Sequence, residues 1–250
     1  MTMLTRSALA TAVLVAGLAA AAPVSATRAP GKSREAWFRV SVEGVQTLRW
    51  SENHPREGQC GYEEHGSGTE RVVFRSRRSV LVHAFQLFGI GPVMFAGPKG
   101  EAELPMRGTV RRQGTLTLAP PAPGCEVGDG GGDGSYTPPA PDCGTKQIAR
   151  LALRLEYDAL NPRRITLWND SSEAAPEFTN CPAQGEAWTK ILSRDDRKRT
   201  AGEELPAHDL FDRRQGKMLV LGRGKVHSAY SGVEATTRIR WTLTLRRVRR

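Results

Sequence analysis

Apolar and polar residues alternate with a period of two along much of the chain beyond residue 36. Phe38, Val40 and Val42 alternate with Arg39, Ser41 and Glu43. After Gly44 the same parity returns, with Leu48 and Trp50 against Thr47 and Arg49. Side chains on an extended strand point to opposite faces in turn, so this stretch predicts one long half-buried strand, bent or bulged at Gly44. Alternation is cleanest after residue 150, where Leu151, Leu153, Leu155 and Tyr157 oppose Arg150, Arg154, Glu156 and Asp158. It returns at the C-terminus, where Thr237, Ile239, Trp241, Leu243 and Leu245 oppose Arg238, Arg240, Thr242, Thr244 and Arg246.

Between these segments, residues 71–74 and 79–88 read as strands, the second apolar on both parities as for a strand covered on both faces. Glycines mark the expected turns. Residues 104–112 and 115–118 read as a hairpin about Gln113-Gly114, and 217–221 and 225–230 as another about Gly222 and Gly224. Residues 164–168 return after Asn161-Pro162, and 51–68, rich in glycine, read as loop. Residues 169–217 read as irregular, with a short helix near 207–214. No long amphipathic helix and no alternation of strands with helices is present. The expected fold is all-β: an antiparallel β-sandwich, or partly open barrel, of about eight to ten strands with long irregular loops.

The first 26 residues follow a different rule. Arg6 precedes an uncharged apolar run, 8–22, broken only by Thr11 and Gly17; Pro23 and Val24-Ser25-Ala26 follow. That is the pattern of a secretory signal peptide cleaved after Ala26. The run is shorter than the roughly 20 apolar residues of a membrane span, and no later run approaches that length. The expected organisation is a leader over 1–26, a mobile lead-in over 27–35, and a single β-rich domain over 36–250. Within that domain, residues 119–145 carry Pro120, Pro121, Pro123, the glycine run 128–134 and Pro138, Pro139 and Pro141, and read as a flexible loop. The chain has the look of an exported bacterial protein, placed outside the cell.

Export changes the reading of Cys60, Cys125, Cys143 and Cys181. An even number of cysteines in an oxidising compartment predicts two disulfides. Closing the glycine-rich loop favours Cys125–Cys143 with Cys60–Cys181; the rival pairing is Cys143–Cys181 with Cys60–Cys125. No C-x-x-C is present, so the cysteines do not point to zinc.

The formal net charge is +10, and 29 of the 36 basic residues are arginine. Guanidinium groups pair bidentately with carboxylates and phosphates. By parity, Arg39, Arg49, Arg150, Arg154, Arg238, Arg240 and Arg246 all leave the core side of their strands. Where those strands are neighbours their outer faces merge into a basic surface, extended by the tail Arg246-Arg247-Val248-Arg249-Arg250. Such a surface fits an anionic polymer or another cell-envelope component. Nucleic acid fits less well, because the chain is read as exported and no aromatic-rich recognition strand accompanies the cations. Trp168 and Trp188 are candidates for an exposed sugar-stacking platform, whereas Trp50 and Trp241 fall on core parities.

Catalytic signatures are sparse. There is no nucleophile elbow, H-E-x-x-H or phosphate-binding loop. His54 with Glu63, Glu64 and His65 offers nitrogen and oxygen ligands or an acid–base pair, with a polar surface loop as the plainer reading. Asp129 and Asp133 among glycines resemble one copy of a calcium loop. His83 reads as a half-buried histidine with one hydrogen bond, and His208 and His227 as ordinary surface residues. The sequence therefore favours a secreted protein that binds an anionic ligand through its arginine face, with no catalytic residue, metal or cofactor assigned. The alternatives are an extracellular hydrolase using the 52–65 region and a purely structural or protein-interaction domain.

Overall fold

The computed structural model describes residues 32–55, 63–87, 92–119, 142–158, 163–169, 178, 181 and 191–249. The expected leader and the centre of the glycine-rich loop, with Asp129 and Asp133, lie outside the described residues. The fold is all-β and antiparallel. Its strands are β1 (Arg34–His54), β2 (Glu63–Ser76), β3 (Val80–Gln86), β4 (Met94–Gly97), β5 (Gly100–Glu101), β6 (Glu103–Ala119), β7 (Asp142–Tyr157), β8 (Ile165–Trp168), β9 (Lys217–Tyr230) and β10 (Val233–Val248). One short helix, α1 (Ala207–Phe211), lies between β8 and β9.

All ten strands belong to one sheet centred on β1. One edge of β1 pairs with β10, which in turn pairs with β9. The other edge is shared: residues 34–40 pair with β3 and residues 43–54 with β2. Beyond β2 come β6, β7 and β8. Residues 202–205 join the two ends of this path. Gly202 and Leu205 donate backbone N–H groups to Ile165 and Arg163 beside β8, at 2.9 and 2.6 Å, while Glu203 donates to Leu221 of β9 at 2.7 Å. The Tyr157 hydroxyl donates to the Leu205 carbonyl at 2.8 Å and pins the same segment to β7. The sheet thus closes on itself as a barrel, and the expected alternation holds: Phe38, Val40, Val72, Phe74, Leu104, Leu153, Trp241 and Leu243 all face the core. β3–β5 form a side arm whose Phe95 ring stacks on Tyr157 of β7.

Several expected turns are continuous strand. The β1–β10 register runs unbroken past Gly44, so there is no bulge there. β6 passes straight through Gln113-Gly114 and β9 through Gly222 and Gly224. Residues 51–54 and 63–68, expected as loop, extend β1 and β2. The physical reason is space for rings. A β-carbon on Gly44 would overlap the Phe74 ring, one on Gly68 or Gly114 the Trp50 indole, and one on Gly222 the Trp241 indole. These glycines seat inward aromatic side chains, a recognised use of glycine inside strands.

The disulfide expectation also needs correction. Cys143, near the start of β7, is bonded to Cys181, with Cα atoms 5.6 Å apart. Cys125–Cys143 and Cys60–Cys181 each require one of these sulfurs and do not form. Cys60 and Cys125 lie outside the described residues. Proximity in sequence favoured the shorter loop. In the fold, Phe178 lies beneath the Arg112 guanidinium at 4.8 Å and the Lys146 ammonium at 5.2 Å, which brings the chain near Cys181 back to β7.

Candidate anion-binding face

The outward residues of five neighbouring strands form rows set by the register. The first row runs Lys225 on β9, Arg238 on β10, Thr47 on β1, Arg71 on β2 and Arg111 on β6. One row along lie Arg223, Arg240, Val45, Val73 and Thr109; on the other side lie His227, Thr236, Arg49, Thr69 and Gln113. Adjacent strands are about 4.8 Å apart and alternate residues about 7 Å apart along a strand, so the seven Arg and Lys residues of these rows share one compact surface. No acidic residue falls in the three rows.

Five of these cations, Arg49, Arg71, Lys225, Arg238 and Arg240, line a depression of about 860 Å3 together with His227, Val45, Thr47 and, at the neighbouring row, Glu234. Among the described residues, the side chains of Arg49, Arg71, Arg223, Lys225, Arg238 and Arg240 form no ion pair or hydrogen bond. Arg111 does: its Nη2 lies 2.8 Å from the Asp142 carboxylate. That contact, with the Gly144 N–H, holds the Asp142 carboxyl below the usual carboxylate range. A bound anion would meet guanidinium donors that are in no ion pair among the described residues, the chemistry of carboxylate, sulfate or phosphate recognition.

Of the arginines expected to form a basic face, Arg49, Arg238 and Arg240 come together here. Arg39 and Arg246 oppose one another across β1 and β10, and Arg246 opposes Lys217 on β9. They form a second basic cluster, about 33 Å from Arg49 along β1. Arg154 belongs to neither: its Nη1 lies 2.6 Å from Glu101, and its guanidinium sits over the Trp168 ring. The Arg150 side chain lies outside the described residues. Trp168 is buried, with the Arg154 and Arg194 guanidiniums both 5.1 Å from its ring centre, so it offers no open platform for a sugar. Trp188 lies outside the described residues; Trp50 and Trp241 are in the core, as expected.

Sequence reading missed Arg71, Arg111, Arg223 and Lys225. Parity carried part of the signal, since Val72 and Phe74 point inward and leave Arg71 outward. Treating β6 and β9 as hairpins hid the others. His227, expected as an ordinary surface residue, lines the depression.

Within the 52–65 region, residues 52–54 and 63–65 are the paired ends of β1 and β2, and 56–62 lie outside the described residues. His65 Nε2 lies 2.8 Å from Glu63 Oε1 in an exposed contact. Burial, and next the negative charge of Glu64, push the Glu52 carboxyl up, while His54 opposes them. Glu52 lines a depression of about 530 Å3 with Ser51, Asn53 and Glu234, which includes neither Glu64 nor His65. His83 is half-buried, its Nε2 3.2 Å from the Glu35 carboxylate. Among the described residues no group of three His, Cys, Asp or Glu side chains is placed to hold a metal ion.

The sequence reading also missed a charge pair inside the barrel. Glu70 and Arg112 are register partners on the inward face, with Arg112 Nη2 and Nε donating to Glu70 Oε2 at 2.8 and 3.1 Å. Burial raises the Glu70 pKa, and Arg112 pulls it back. Among the described residues Glu70 Oε1 has no hydrogen-bond partner. Comparison of the chain with protein-family models, curated proteins and solved structures finds no match.

Proposed function

We propose that this is an exported, non-catalytic β protein that binds an anionic ligand of the cell envelope or extracellular space through the outer face of β9, β10, β1 and β2. One observation carries the reading: Arg49, Arg71, Arg238, Arg240 and Lys225 line one depression in which Glu234 is the acidic residue, and none of the five forms an ion pair among the described residues. Like charges placed directly opposite across strands oppose folding. Arg238 faces Lys225, and Arg240 faces Arg223. An anion bound between them removes that repulsion.

Retention on dextran sulfate and on polyphosphate, measured across a salt series, tests the proposal. Release of condensed counterions makes binding fall steeply with salt, by about a hundredfold between about 50 and 200 mM for five contacts on a flexible polyanion. Undetectable or salt-independent retention overturns it. The leader is tested separately: N-terminal sequencing of protein recovered outside the producing cell should begin at Thr27.

Glu52 supports a second reading, a hydrolase using the 52–65 region, because a carboxyl with a raised pKa suits a general acid. Glu52→Gln separates the two. It abolishes any hydrolytic activity found on extracellular polymers and leaves polyanion retention in place. A chain with neither property is a structural or protein-interaction domain.

A further inference from the structure

The basic depression continues into another that mixes charged and aliphatic side chains. A second hollow of about 780 Å3 shares Val45 and Arg240 with the first, and Val73 and Leu221 also line it. Leu219, Leu221 and Val73 are 56%, 47% and 41% exposed. They are three of the five exposed large hydrophobic residues among those described, and all three project from the face that carries the cations. Leu219 and Leu221 stand side by side on β9, between Lys217 and Arg223. On β2, Val73 lies between Arg71 and Arg75. Glu43 and Glu203 border the hollow beside Arg75 and Arg223. Aliphatic side chains thus stand among guanidinium and ammonium groups on this face, with Glu43 and Glu203 as the acidic residues of the hollow.

A water-soluble polyanion would use the cations and leave the leucines in water. An anionic membrane surface uses both: aliphatic side chains enter the boundary between headgroups and acyl chains, while arginines and lysines pair with phosphates. We infer that this face docks on an anionic lipid surface, an inference that rests on the anion-binding reading and names its ligand.

Co-sedimentation with phosphatidylcholine vesicles, with and without phosphatidylglycerol, tests it, alongside dextran sulfate retention of the same protein. The protein should sediment with the anionic vesicles and stay in solution with the neutral ones. The double variant Leu219→Thr/Leu221→Thr keeps the charge and suits a strand. It should lose about tenfold in vesicle affinity and keep dextran sulfate retention and its β circular-dichroism spectrum. Dextran sulfate retention without vesicle binding overturns the membrane inference and leaves the anion-binding reading standing, as does vesicle binding that the double variant leaves unchanged. Failure to bind either material removes both.

Discussion

Arginines leave the outer faces of β7 and β9–β10–β1–β2 by the same parity rule, and they meet different neighbours. On β7, Arg154 lies between Glu103 of β6 and Trp168 of β8 in the register, and reaches Glu101 at 2.6 Å. Nearby, Arg197 lies 3.1 Å from Glu156. On the other side, Arg238 lies between Lys225 and Thr47, and Arg71 between Thr47 and Arg111. The first arrangement uses cations to hold strands and an indole together. The second accumulates them against their mutual repulsion. Cross-strand register, not arginine content, separates a structural arginine from one available to a ligand.

The largest effect that probes this contrast belongs to the extreme paired case inside the barrel. Arg112→Ala leaves Glu70 buried without its counter-charge and should cost about 3–5 kcal/mol, read by urea denaturation. The pH dependence sharpens the test. Because the folded Glu70 pKa is raised, its contribution favours folding most below its unfolded pKa and is lost as pH rises through the window between the unfolded and folded values. Removing Arg112 widens that window, so the variant should gain stability relative to wild type on acidification. A flat profile would mean that the pair is not buried.

Next comes the unpaired face. Arg71→Gln/Arg238→Gln/Arg240→Gln should lower dextran sulfate affinity by about a hundredfold, at roughly 1 kcal/mol per exposed contact. Thermal stability should hold or rise slightly as like-charge repulsion is relieved. Stability that falls with affinity would place these arginines in the structural class. Arg154→Ala should show the converse: a loss of about 1 kcal/mol in stability from its ion pair and its contact with Trp168, with retention unchanged. The smallest effect is expected at the boundary between the classes. Asp142→Asn frees Arg111 and should raise dextran sulfate affinity about two- to fivefold. Since the Asp142 pKa is lowered, the contact persists above the ordinary carboxylate range and is lost only as pH falls through the lowered value. Wild-type affinity for this permanently charged polymer should therefore rise only in acid.

The outward placement of Arg39, Arg49, Arg238, Arg240 and Arg246 was legible because each lies between clear core positions such as Val40, Leu48, Ile239 and Leu245. Trp168 was misread for a related reason. All four residues of β8 are buried, so parity does not distinguish its faces, and the Arg194 segment covers the side that a free strand would expose. Gly114 and Gly222 were read as turns because glycine at such points signals a turn or close packing equally well. Only the position of Trp50 and Trp241 in three dimensions decides which.

By itself, the sequence determined the two-residue period, and with it the all-β fold and the sorting of aliphatic side chains inward and arginines outward. That information is local, because each side chain's face follows from its immediate neighbours along a strand. The tertiary structure alone decided which strands adjoin, that β6 and β9 run unbroken past their glycines, that residues 202–205 close the barrel, and that Cys143 pairs with Cys181. It also decided which arginines gather outside any ion pair, among the described residues, on the face that carries Leu219 and Leu221. These outcomes depend on contacts between residues far apart in the chain, and a one-dimensional pattern carries no record of register.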